Sequence, residues 1–155
     1  MKNKVIAIVQ ARTDSTRLPN KVMKKISNTP LIEILLKRLS KSKKINSIII
    51  ATTDKRSDDR LSEYISSINF NVFRGSENDV LDRYYNAAKE NEASTVIRIT
   101  GDCPLVDPEI IDSMIDEYNN NNHIDLLWND GPPTFPDGLD VEIFSFSSLE
   151  KAWKE

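Results

Sequence analysis

Five consecutive apolar residues, Val5-Ile6-Ala7-Ile8-Val9, run straight into a polar loop that carries cations, Gln10 to Lys21. A strand with no polar residue on either face has to be covered on both, as strands of parallel sheets are. Runs of this kind recur. Strands are expected at 4–10, 46–52, 70–73, 95–99 and 124–128, with an alternating one at 139–144. Helical patterns fill the intervals. The first is expected to open with Thr29 as cap and Pro30 at the first helical position, with Leu31, Leu35 and Leu39 on one face. In the second, Leu61, Tyr64, Ile65 and Ile68 follow an acidic first turn, Asp58-Asp59. A third carries Val80, Leu81, Tyr84, Tyr85 and Ala88. A fourth begins at Asp107-Pro108 and carries Ile110, Ile111, Met114, Ile115 and Tyr118, and a last one spans Ser147 to Lys154. This β-α-β-α order predicts a single α/β domain over 1–155, with a mostly parallel sheet between helices on both faces.

The loop after the first strand holds Arg12, Arg17 and Lys21 together with the hydroxyls of Thr13, Ser15 and Thr16. It sits at a strand's carboxyl end, where open α/β sheets bind ligands. The formal net charge is −3, so the cations are a local feature that suits a small anion rather than a nucleic-acid backbone. Arginine grips phosphate as a planar fork and lysine as a point charge. No glycine precedes Gly75, which excludes the glycine-rich phosphate loops here. The plain alternative is a solvated basic turn.

In the segment Arg98 to Pro108 a strand ends, Gly101 allows a tight turn, and Asp102 stands at the sheet's carboxyl edge. One carboxylate there suits a magnesium ion, which is held by one or two carboxylates plus substrate phosphates. Asp107, followed by Pro108, reads instead as a helix cap. Asp79, Asp82 and Arg83 surround a helix start and fit either a ligand or the helix dipole. Arg74-Gly75-Ser76 fits a ligand contact or a plain turn. Asp140 and Glu142, two apart, share a strand face and fit sugar hydroxyls, a metal or a solvated surface.

Asn119 to Asn122 reads as a surface turn, and Gly131-Pro132-Pro133 with Pro136-Asp137-Gly138 as a rigid loop. The sole histidine, His123, is expected at the surface, which removes histidine-based acid–base and triad chemistry. The sole cysteine, Cys103, forms no internal disulfide and is expected to pack rather than react. The first apolar run is too short for a leader or a membrane span, so a cytoplasmic protein is expected.

The string Gln10-Ala11-Arg12…Ser15-Thr16-Arg17-Leu18-Pro19-x-Lys21-Val22 resembles the opening motif of acylneuraminate cytidylyltransferase relatives of the spore-coat polysaccharide biosynthesis type. The resemblance continues through Ala51-Thr52-Thr53-Asp54, Val72 to Tyr84 and Ile97 to Leu105. It goes on through Pro136 to Glu142 and Ser148 to Lys154, covering essentially the whole chain in order. It implies a three-layer, Rossmann-like nucleotide-diphospho-sugar transferase fold and transfer of CMP from CTP to a sugar acid, with pyrophosphate released. By that likeness Arg12, Ser15, Arg17 and Lys21 hold the triphosphate, and Ala11, Thr52 and Arg83 frame base and ribose. Asp102 binds Mg²⁺, and Asp137, Asp140 and Glu142 lie near the sugar. Arg17, Lys21 and Asp102 carry the catalytic charge.

Three departures stand against the likeness. Members usually have glycine where this chain has Asp14 and Asn20, and a carboxylate at position 14 would repel a triphosphate unless it points away or pairs with Arg12 or Arg17. Relatives also continue further, through an acidic segment that supplies a second metal carboxylate. A fragment or a shortened, inactive form is therefore expected. Two other functions fit the same residues: a glycosyltransferase using a ready-made nucleotide sugar, and a non-catalytic nucleotide-binding module. No nucleic-acid or membrane partner is expected. Trp153 on the last helix lacks a downstream partner, which leaves room for a missing segment or a second copy in a homodimer.

Overall fold

In the computed structural model, which describes residues 3–15, 17–121, 123–132 and 135–155, the first apolar run forms β1 (Val5–Gln10). The chain continues through β2 (Lys25–Ile26), β3 (Thr29–Pro30), α1 (Leu31–Leu39), β4 (Ser47–Thr53), α2 (Asp59–Ser67) and β5 (Asn71–Gly75). Then come α3 (Val80–Glu90), β6 (Thr95–Thr100), α4 (Pro108–Asn120), β7 (Leu126–Trp128), β8 (Glu142–Ser145) and α5 (Phe146–Lys154). One sheet has the order β5-β4-β1-β6-β8-β7, and the first four of these strands run parallel. β8 and β7 close the edge in antiparallel fashion.

Alternation along β1 shows why both faces are covered. Val5, Ala7 and Val9 pack with Leu35, Leu36 and Leu39 of α1, Leu61 and Ile65 of α2, and Ile111 and Ile115 of α4. Ile6 and Ile8 face the other way, onto Tyr84, Tyr85 and Ala88 of α3 and Leu149 of α5. Helices thus form a layer on each side of the sheet, the three-layer arrangement that the alternating pattern predicts.

Several local expectations are corrected. Thr29 does not cap α1: Ser27 and Asn28 both take positive φ (49° and 70°), making a tight hairpin that puts Thr29-Pro30 in a ribbon with Lys25-Ile26. The helix starts at Leu31, whose N–H donates to the Lys24 carbonyl at 2.8 Å, and its buried face is Ile32, Leu35, Leu36 and Leu39. Asn119 and Asn120 finish α4 rather than forming a turn. Trp153 is not unpartnered. Its ring stacks on Tyr85, centroids 4.1 Å apart, and its Nε1–H donates to Asp82 Oδ1 at 3.0 Å. Of the apolar residues that α3 carries, Val80 and Leu81 are exposed.

The Asp107 cap stands as expected, its carboxylate accepting from the N–H groups of Glu109 and Ile110. Thr16, Asn122 and Pro133, named above, lie outside the described residues. Among the described residues no helix is long and apolar enough to cross a membrane.

Candidate functional site

From β1 the chain moves to β4 and β5 on one side, then returns to β6 on the other. Order therefore reverses beside β1, and the loops at the carboxyl ends of β1 and β6 separate there into a crevice. A cleft of about 310 Å³ occupies it, walled by Ala11, Arg12, Ser15, Arg17 and Lys21 from one loop and by Thr100 to Asp102 from the other. The two loops are joined at their roots. Gly101 N–H donates to the Gln10 carbonyl at 2.8 Å, and a Cβ at position 101 would stand 2.7 Å from that same oxygen and 2.9 Å from the Ala11 Cβ. Glycine is needed here for close approach of two backbones rather than for a turn.

Across the cleft the Lys21 ammonium is ion-paired and hydrogen-bonded to the Asp102 carboxylate. Burial pushes the Asp102 carboxyl up, but the hydrogen bond and charge of Lys21 outweigh it and hold the group below its ordinary value. Asp102 is therefore an ionised, hard oxygen donor with two-fifths of its side chain exposed, suited to a divalent cation whose other ligands come from phosphate. Among the described residues no three His, Cys, Asp or Glu gather as a metal site.

Arg12 and Arg17 are exposed, and among the described residues neither forms an ion pair within its own loop. Asp14 is exposed and does not line the cleft, and among the described residues it forms no ion pair with Arg12 or Arg17. Asn20 takes φ 57°, a left-handed conformation that asparagine tolerates, so the second departure from glycine costs little.

The two residues expected at base and ribose, Thr52 and Arg83, do not line this cleft. Thr52 is fully buried, because β4 lies between β1 and β5 beneath both helix layers. Arg83 is also buried, since it projects from the sheet-facing side of α3, where its Nη1 donates to the Ser76 carbonyl. Asp79 caps α3, accepting from the Asp82 N–H at 2.8 Å, and Arg74 is engaged by the Thr53 carbonyl and Asp59.

The sugar-side candidates divide. Asp140 lies before β8 rather than on it, accepting from the Gly138 N–H at 3.4 Å, so it does not share a strand face with Glu142. Glu142 pairs with Arg98, its register partner on β6. Arg98 in turn lines both the cleft and an apolar groove of about 490 Å³ bordered by Leu81, Leu126 and Leu149. Asp137 is exposed. Burial pushes the Cys103 thiol up, and the charges of Asp102, Asp140 and Asp137 add to that. Cys103 therefore stays protonated, its thiol 3.0 Å from the Thr100 hydroxyl. His123 is exposed, as expected.

One residue was missed. Asp58 is only 1% exposed and does not cap α2 with its side chain. Its carboxylate reaches back to the first loop, accepting from the Thr13 N–H at 2.7 Å. The sole signal in sequence is an acid too many at the helix start.

A family model described as Cytidylyltransferase matches residues 6–155. The chain is 49% identical to an uncharacterized protein, MJ1063, of Methanocaldococcus jannaschii over 97% of its own length and 60% of that protein's. It is 42% identical to the spore coat polysaccharide biosynthesis protein SpsF of Bacillus subtilis over 75% of this chain and 50% of that one. Among solved structures, a cytidylyltransferase from Leptospira borgpetersenii superposes with a TM-score of 0.93 at 40% identity, over 97% of this chain and 64% of that one. The chain thus spans half to three-fifths of the length of these curated relatives.

Proposed function

Because the chain belongs to the cytidylyltransferase family, we propose that its cleft holds the triphosphate of CTP and that the whole protein transfers CMP to a sugar acid for surface polysaccharide synthesis. The observation that carries this reading is the set of three cations, Arg12, Arg17 and Lys21, facing Asp102 across a crevice at the switch point of the sheet. A nucleoside triphosphate carries more charge than a nucleotide sugar, so three cations favour it over the glycosyltransferase alternative.

Arg12 and Ser15 hold the inner phosphates, while Arg17 and Lys21 steady the pyrophosphate that leaves. Lys21 moves from Asp102 to the phosphates as CTP enters, freeing the carboxylate. Bound magnesium, for which Asp102 is a suitable donor, would neutralise charge on the reacting phosphate. The acceptor oxygen then bonds to the α-phosphorus while the bond to pyrophosphate breaks in line, a reaction in which the protein mainly positions and neutralises. Ala11 lies against the base side, and Asp137 and Asp140 offer acceptors to sugar hydroxyls. CTP and a sugar acid as substrates fit a cytoplasmic enzyme.

Pyrophosphate release from CTP with a panel of sugar acids tests the reaction, and silence with every pair would sink it. Calorimetry of CTP with magnesium tests the site: Asp102→Ala should lose the magnesium dependence of binding. Firm CTP binding without turnover would instead favour a nucleotide-binding module.

A further inference from the structure

One buried residue ties the cationic loop together. Thr13 is 5% exposed and links the loop's start both to its end and to the body of the protein. Its carbonyl accepts from the N–H groups of Ser15 at 3.0 Å and Asn20 at 2.9 Å, which pins the loop's start to its end. Its own N–H donates to Asp58 Oδ1 at 2.7 Å. Its hydroxyl proton is shared between that same oxygen at 2.7 Å and the Ser57 carbonyl at 2.9 Å. The other Asp58 oxygen accepts from the Thr53 hydroxyl at the end of β4.

Asp58 stands at the head of α2, yet its side chain gives nothing to that helix. A buried carboxylate carries a large desolvation penalty, and the hydrogen bonds it accepts must outweigh it. Here those bonds go to residue 13 and to the strand beside β1. They hold the Asp58 carboxyl below its ordinary value although burial, the largest influence, pushes it up. Packing alone would be served as well by an aliphatic side chain. Arg12 and Arg17 flank this pivot and Lys21 follows it, so their spacing depends on where Thr13 sits.

We propose that Asp58, acting through Thr13, is the positioning residue that holds the 11–21 loop in its triphosphate-binding shape. This rests on the reading of the cleft given above. The 155-residue chain is tested as wild type, Asp58→Asn, Thr13→Val, Thr13→Ser and the double variant Asp58→Asn/Thr13→Val. Calorimetry with CTP and magnesium should show at least about a tenfold loss for Asp58→Asn and for Thr13→Val, the scale of one charge-assisted hydrogen bond. Thr13→Ser, which keeps the hydroxyl, should bind as wild type. The double variant should be no weaker than the weaker single one, because both remove the same link.

Amide exchange without nucleotide should rise at Ser15 and Asn20 in Asp58→Asn and stay unchanged in α4. Ile65→Val, on the buried face of α2, is the control for general destabilisation and should keep wild-type affinity. An equal loss of affinity in Ile65→Val, or wild-type affinity in both Asp58→Asn and Thr13→Val, overturns the proposal. Should Asp58→Asn fail to fold, Thr13→Val and Thr13→Ser decide it. The two readings fail separately: unchanged exchange at Ser15 and Asn20 strikes the Asp58 link, whereas a wild type that binds no CTP strikes the cleft.

Discussion

In the parallel half of the sheet, Ile6 to Val9 of β1, Ile49 to Ala51 of β4 and Val96 with Ile97 of β6 are sealed between helix layers. In the antiparallel edge Leu126 and Trp128 stand 42% and 48% exposed. The cleft sits on the sealed half. That placement has a physical reason: two loops can be joined through Gly101 and Gln10 only if the strands beneath them cannot shift. The edge has the opposite character. Its strands are short, Glu142 is committed to Arg98, and its apolar side chains border an open groove.

Substitutions should break this contrast unevenly. Ile97→Ala, in the middle of β6, should cost about 2–5 kcal/mol in a urea melt, because a fully enclosed site cannot collapse around the lost methyl groups. Gly101→Ala should cost about 1–3 kcal/mol by overpacking against backbone, and should also weaken CTP binding by spreading the two loops. A loss of stability with full CTP affinity would show that the join at Gly101 is not what shapes the cleft.

Acid should act on the cleft side next. Asp58 and Asp102 are both held below their ordinary values in the fold. The stability they give is therefore complete above about pH 4, the unfolded value, and is lost as pH falls through the lower folded values. Melting temperatures of Asp58→Asn should fall less over that range than those of wild type. Asp102 is the weaker contributor, because two-fifths of its side chain meets solvent.

Asp107→Ala removes only a helix cap and should cost about 1 kcal/mol, leaving CTP affinity intact. Leu126→Ala on the edge should stay within about 0.5 kcal/mol, since its side chain is already in contact with water. A large effect there would mean that the edge is covered in the whole protein.

Much of the fold and half of the site could be read from sequence. The continuous apolar runs predict strands sealed on both faces, and β1, β4 and β6 are such strands. Asp107-Pro108 predicts a capped helix and forms one. Arg12, Ser15, Arg17, Lys21 and Asp102 are brought to one cleft as their positions at strand ends suggest. These features depend on neighbours within a few residues or on the general rule for strand ends. Thr52 and Arg83 are buried, and no local pattern reports burial of that kind. Trp153 looked unpartnered because its partner, Tyr85, lies far back along the chain.

Periodicity and local chemistry set the alternation of strand and helix and the presence of cations and a carboxylate at two strand ends. Which buried group ties down the cation loop, and which acids are already spent, follows from the folded arrangement. Asp58 finds Thr13 across 45 residues, and Glu142 finds Arg98 across 44. Such pairs exist only once the order and register of the strands are settled, and the energy that selects them comes from burial of the whole sheet.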